Sequence, residues 1–161
     1  MWEENGVKQT LLVGTWCERQ SEVQVYTPLL AVDVLAQQEV THRWALQVDF
    51  EYGILPLEGS ICVNGQHLEV GMMAYVAPGS VSVEIAAEKD ARYFIIGGEP
   101  LHEELIVWWN LIARTPEEIA QARAQWEAQS ARFGDLPQLG EWLHAPELSG
   151  SLKASGPKQN T

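Results

Sequence analysis

The run GGEPLHEELIVWWNLIARTPEEIAQARAQWEAQSARF, residues 97–133, joins a glycine pair and a tryptophan-rich apolar stretch to a sharply bounded helix. Thr115 is a good N-cap, Pro116 suits the first helical position, where no backbone N–H is needed, and Glu118 completes a capping box with Thr115. That start is worth roughly 1 kcal/mol. Ile119, Ala122, Trp126 and Phe133 then recur at helical spacing, Glu117, Gln121, Gln125 and Gln129 fall off the stripe, and Gly134 supplies a stop after Arg132. The spacing predicts a helix with one apolar side, so it lies on something.

Upstream, residues 10–96 read as short apolar strands broken by turn residues, with no helical window. The clearest strand is Trp44–Glu51, where Trp44, Leu46, Val48 and Phe50 alternate with Ala45, Gln47, Asp49 and Glu51, one face buried and the other wet. Ile54–Leu57 leads to a Glu58-Gly59 turn, Ser60–Val63 follows, and Asn64-Gly65 is a strong hairpin signal that returns Gln66–Val70 antiparallel. Val81, Val83 and Ile85 alternate with Ser80, Ser82 and Glu84, and Arg92–Ile96 ends at Gly97-Gly98. Val23–Tyr26 and Leu29–Leu35 are further strands, with Pro28 between them favouring an edge or bend. The fold class expected is mainly β: a single β-barrel or double-stranded β-sandwich with one C-terminal α-helix packed outside. One domain over 1–148 and a flexible polar tail over 149–161 account for the length of 161 residues.

Composition narrows the function. Ten Lys and Arg against 22 Asp and Glu leave a formal charge of -12, which repels phosphate backbones and anionic lipid, so neither nucleic acid nor a membrane is expected as a partner. Disorder is disfavoured by 46% hydrophobic residues and seven tryptophans. Cys17 and Cys62 form no C-x-x-C pair and suggest a reduced, cytoplasmic setting. The acidic start Met1-Trp2-Glu3-Glu4 does not read as a secretory signal, and the greasy run Leu105–Ala113 is too short to span a bilayer.

The run DFEYGILPLEGSICVNGQHLEVGMMAYVAPG, residues 49–79, together with GGEPLHEE, WWN, ARTPEEI, RFGDLPQ and LHAPEL, resembles the C-terminal cupin domain of the pirin family over roughly residues 10–148. In that family two cupin barrels pack face to face and the metal sits in the N-terminal one. The resemblance implies that this chain carries the C-terminal barrel alone, as a natural single-barrel relative or as a piece of a longer protein. It also implies an alternative activity, metal-dependent quercetin 2,3-dioxygenase chemistry, for which the ligands would belong to the other half.

Metal cupins place an H-x-H pair, a Glu after three or four further residues, a Gly after six more, and a further His after a P-x-G step. Counting from Gly59 puts the Glu position at Tyr52 and the H-x-H positions at Leu46 and Val48, or at Ala45 and Gln47; the last His position falls at Ser82. None is a usual ligand for a transition metal, and stripping water from an ion without replacing its donors is prohibitive. No metal and no cofactor are therefore expected. His42 shares strand parity with Trp44 and Leu46, so His42, Trp44, Tyr52 and Ser82 are the candidates for a small-ligand pocket at the barrel mouth, although the parity of Ser82 with Ser80 and Glu84 points it outward. His67, His102 and His144 read as exposed or loop residues, and no Cys has a base close by in sequence. No catalytic residue is assigned.

Trp108 and Trp109 are the candidates for an interaction surface, though adjacent strand positions face opposite ways. The expected function is a metal-free binding or interaction module, self-associating as a homodimer that imitates the two-barrel family member, with a protein partner or a small ligand as further possibilities.

Overall fold

A computed structural model of the chain describes residues 1–134 and 140–154. They form two compact units, Met1–Pro100 and Leu101 onward. In the first unit the strands run β1 (Trp2–Glu4), β2 (Val7–Val13), β3 (Thr15–Trp16), β4 (Arg19–Gln20), β5 (Leu29–Ala36), β6 (Val40–Ala45) and β7 (Glu51–Glu58). They continue as β8 (Ile61–Val63), β9 (Gln66–Leu68), β10 (Ala74–Val76), β11 (Ser82–Ala87) and β12 (Arg92–Gly98). The second unit holds the hairpin β13 (Ile106–Trp108) and β14 (Leu111–Ala113), the helix α1 (Pro116–Glu127) and a short 3-10 turn, Ala131–Phe133.

Two antiparallel sheets make the first unit: one in the order β1-β2-β5-β12-β7-β10, the other in the order β6-β11-β8-β9. Their inward side chains merge into one apolar core, including Val32 and Val34 from β5, Ile54 from β7, Ile85 from β11 and Ile95 from β12. The architecture is thus the expected cupin-type sandwich, with the sheets facing each other rather than closing by hydrogen bonds. Alternation does the sorting: β5 reads half-buried and buried at every other residue along its eight positions.

The stretch expected as one strand over Trp44–Glu51 is two strands and the crossing between them. β6 ends at Ala45, and the chain turns at Val48-Asp49 before β7 begins at Glu51 in the other sheet. Phe50 N–H donates to the Gln47 carbonyl, and the Val48 carbonyl accepts from Gly79, so local backbone bonds replace the ladder there. Val48 is 48% exposed as a result, and only Trp44 and Phe50 of the alternating set are buried. Val23–Tyr26 is irregular rather than a strand, with Tyr26 exposed. An N-terminal hairpin, absent from the sequence expectation, precedes residue 10: Asn5 and Gly6 take positive φ values of 49° and 81° between β1 and β2, a primed turn whose signal was the Asn-Gly pair.

The helix begins as its residues dictate. Thr115 accepts from Glu118 N–H and Glu118 reaches back to Thr115 N–H, the full capping box. Its end comes earlier than expected, at Glu127 rather than beyond Arg132. Ser130 N–H donates to Gln125 and Gln129 N–H to Trp126, a Schellman closure with Gln129 in the left-handed region at φ 48°. Gly134, at φ 75°, instead ends the 3-10 turn. Ile119 and Ala122 are buried against Ile106 and Leu111, so the apolar side of the helix lies on the hairpin of its own unit. Leu152 and Ala154, inside the segment expected as a polar tail, pack on the same cluster; residues 155–161 of that tail, and residues 135–139 of the closing segment, lie outside the described residues.

The glycine pair has a packing reason. Gly97 is paired with Tyr52 across β12 and β7, and a Cβ on Gly97 would stand 2.6 Å from the Tyr52 ring. Gly98 lets the chain approach Pro28, whose carbonyl accepts from Glu99 N–H. Replacing Gly97 with alanine forces the buried ring to move, and Gly97→Ala is expected to lower unfolding free energy by about 1–3 kcal/mol in chemical denaturation; an unchanged stability would contradict the contact.

Candidate functional site

Of the four pocket candidates, the structure brings two together, buries one elsewhere and turns one away. His42 and Trp44, on β6, stack with ring centroids 4.8 Å apart, and His42 Nε2 lies 3.0 Å from the Asn5 carbonyl oxygen at the β1–β2 turn. Tyr52 is 1% exposed, with its ring over Gly97 and its hydroxyl accepting from Gln47 N–H at 2.7 Å. Ser82, opposite Ala45 in the β6–β11 pair, points away from the core that its neighbour Val83 enters. Ser82 therefore does not join His42 and Trp44, as the alternation along β11 requires.

A cavity lies beside Gln47 and Phe50. It holds about 390 Å³ between Thr15, Gln20, Ser21, Val25, Gln47 and Phe50, with no ionisable side chain among its lining residues. That is a size suited to a small molecule. Gln47 ties the cavity to the interior, because its backbone N–H holds the Tyr52 hydroxyl.

Deeper in, the sandwich is poor in donors. Outside the aromatic side chains, the buried polar residue among those described is Gln9, whose Oε1 accepts from Trp16 Nε1–H at 3.0 Å. Trp44 Nε1–H and the Tyr93 hydroxyl are buried without a hydrogen-bond partner. The indole N–H stands near enough to favour a phenolate, yet burial outweighs it and pushes Tyr93 up to about 12. Burial likewise raises Tyr52, opposed by its bond to Gln47. Leu46, Tyr52 and Ser82, at the positions where a cupin would carry ligands, offer a hydrocarbon, an engaged phenol and an outward hydroxyl; these residues do not fit a transition metal, whose site needs several nitrogen, sulfur or carboxylate donors converging. Among the described residues no three His, Cys, Asp or Glu side chains converge in a metal-holding group.

In the second unit, Trp108 ends β13 and Trp109 occupies the hairpin turn at φ 54°, both half-buried. Trp109 packs edge-on against Trp126 at 5.2 Å, and Trp126 meets Phe133 and Trp142 at 5.1 and 4.4 Å. The pair is thus part of an aromatic cluster rather than a free platform. Trp126 Nε1–H donates to the Leu143 carbonyl, and Glu127 receives Ala145 N–H and contacts His144 Nδ1. The His144 bond, then the Ala145 N–H, hold the Glu127 carboxyl below its usual range.

One pair is visible only across a hairpin, not along the sequence. Cys62 and His67 face each other across β8 and β9, with Sγ 3.9 Å from Nδ1 and Glu69 at 3.7 Å from His67 Nε2. The Asn64-Gly65 turn was the available signal, since a two-residue loop there pairs Val63 with Gln66 and hence Cys62 with His67. The expectation that no cysteine has a base nearby is corrected by that register.

Residues 31–134 match the family described as the pirin C-terminal cupin domain. A Pseudomonas aeruginosa protein provisionally named a quercetin 2,3-dioxygenase is 38% identical over 154 residues, covering 95% of this chain and 49% of that protein. A pirin-like protein of Caulobacter vibrioides is 33% identical over 91% of this chain and 49% of its own length. The crystal structure of a quercetin 2,3-dioxygenase from Acinetobacter baumannii superposes with a TM-score of 0.88 at 39% identity, covering 95% of this chain and 52% of that one. The chain spans about half the length of the curated relatives it matches. No helix among the described residues is long and apolar enough to cross a membrane.

Burial of Tyr93 has a measurable consequence. Its raised folded value means that the stability it contributes is complete below the ordinary tyrosine range near 10 and is lost as pH rises through about 12. Ultraviolet difference titration should show Tyr93 ionising only near that upper limit, together with unfolding; ionisation near 10 in the folded chain would contradict this.

Proposed function

Because the chain belongs to the pirin family, through its C-terminal cupin domain, we propose that it works as a binding and interaction module whose sandwich holds no transition-metal centre and pairs with a second copy of itself. The observation that carries this reading is a row on the outer face of the six-stranded sheet. Tyr75, Gly53 and Ile96 stand side by side across β10, β7 and β12. Met73 fills the space over Gly53, its sulfur and the Ile96 side chain converging where a Cβ would be. Met73, Tyr75 and Ile96 remain 57%, 61% and 40% exposed. Large apolar side chains gathered at a sheet edge invite cover, and a twofold contact supplies it from one surface patch. Edge strand β10 lies inside this patch, so pairing there would also satisfy its open backbone groups.

The donor set of the interior supports the non-metal part of the reading, since Tyr52 fills the carboxylate position with a phenol already bonded to Gln47. A second reading, dioxygenase chemistry of the kind named in the Pseudomonas and Acinetobacter relatives, is favoured by 38% and 39% identity. On that reading the reacting centre draws its donors from elsewhere than positions 46, 52 and 82. The cavity beside Gln47 is where a small ligand of this domain would sit.

Light scattering and elemental analysis on one purified sample separate these readings. The expected result is a mass of two chains at micromolar concentration without stoichiometric iron, nickel or copper, and a shift of Met73→Glu to the mass of one chain with its circular dichroism unchanged. A wild-type monomer counts against pairing, and a stoichiometric transition metal counts against the donor reading.

A further inference from the structure

We propose that Cys62 is a thiol-exchange site, activated by His67, that forms a mixed disulfide with small neutral or cationic disulfides. Four residues line up across the outer face of the four-stranded sheet: Thr41 on β6, Ala86 on β11, Cys62 on β8 and His67 on β9, each the direct partner of the next. Opposite residues in antiparallel strands bring their side chains within contact distance. The small Ala86 side chain leaves a groove of about 210 Å³ between Thr41 and His67, and Cys62 opens into it. Cys62 is half-buried, so the groove gives a reagent a defined approach to Sγ.

The chemistry follows from the contacts. His67 Nδ1, 3.9 Å from Sγ, takes the thiol proton, and the Glu69 carboxylate at 3.7 Å from Nε2 favours the resulting imidazolium. The sulfur then attacks one sulfur of a disulfide R–S–S–R. A bond forms between Cys62 Sγ and that sulfur, the S–S bond of the reagent breaks, and the departing thiolate takes the proton from His67 and leaves as RSH. Cys62 is oxidised by one disulfide, which is reduced to one thiol and one half of the mixed disulfide, so protons and electrons balance.

Charge sets the class of reagent. Glu39 and Glu88 line the groove, Glu69 stands behind His67, and the next row along the same face holds the opposed pair Arg43 and Glu84. Thr41 and Ala86 are neutral. With carboxylates around the groove and a chain charge of -12, anionic disulfides are repelled and aminothiol disulfides are drawn in.

Cys17 is a control inside the same molecule. It lies in the β3–β4 turn, exposed as a residue while its sulfur is partly desolvated; that desolvation first, then the charge of Glu4, raise its thiol, with Arg19 pulling down and Glu18 pushing up. It has no imidazole partner in a groove. The site lies on the opposite sheet from the Met73 row, so it stands or falls independently of self-pairing.

The test is peptide-resolved mass spectrometry of the reduced, purified chain exposed to cystamine at neutral pH. Cys62 is expected to convert about ten-fold faster than the more exposed Cys17, and His67→Gln to slow Cys62 about ten-fold while leaving Cys17 unchanged. Glu69→Gln, on an exposed side chain, is expected to slow Cys62 by a smaller factor without touching the fold. Oxidised glutathione, which is anionic, should react more slowly than cystamine, with the gap narrowing at high salt. Cys62 reacting no faster than Cys17, or a rate indifferent to His67→Gln in a folded variant, overturns the assignment; equal rates for the two disulfides overturn the charge selection.

Discussion

Tyr52 lies against the backbone of Gly97 and fastens its hydroxyl to Gln47, and the interior of the sandwich is organised around that one side chain. The contact joins β7 to β12 within the six-stranded sheet and ties both to the crossing that follows β6. A residue larger than glycine at position 97 would displace the ring; a residue shorter than tyrosine at 52 would leave Gln47 N–H without its partner and a void beneath it. The same ring occupies the place where the cupin motif puts a carboxylate. Structural support and the lack of a carboxylate are therefore two aspects of one residue, and Phe50, its ring centroid 6.0 Å from that of Tyr52, sets a second apolar ring beside it.

Strand register decides which side chains appear on the outer faces of the two sheets. On the six-stranded sheet the register of β10, β7 and β12 gathers Tyr75, Gly53 and Ile96; on the four-stranded sheet the registers of β6, β11, β8 and β9 gather Thr41, Ala86, Cys62 and His67. A slip of one residue would turn either row inward. The Asn64-Gly65 turn holds the second row in place, with Asn64 at φ 48°, Gly65 at φ 80° and the Asn64 Oδ1 accepting from Glu84 N–H on the neighbouring strand.

Much of this was legible in the residues. Thr115, Pro116 and Glu118 specify the helix start because capping is local chemistry, and alternation in β5 and β11 sorts inward from outward positions correctly, Ser82 included. Local rules failed where tertiary contacts override them. Trp44, Leu46, Val48 and Phe50 alternate as a strand should, yet Val48 sits in a turn because the chain changes sheets there, and nothing in a period of two announces a change of sheet. The helix ends at Glu127 and is closed through Gln129, a residue with no evident stop signal, since a Schellman closure can be made by a non-glycine residue. Cys62 and His67 were readable from the hairpin register, but only by pairing residues across the turn rather than by looking along the chain.

The central claim is that Tyr52 and its neighbours leave the interior without the means to hold an ion. It is tested most directly by titrating the purified chain with nickel(II) and following the Gln47 amide and the Tyr52 ring by nuclear magnetic resonance. Unchanged positions and linewidths for both groups through an excess of metal are expected. A saturable, one-to-one broadening of Gln47 and Tyr52 together would contradict it.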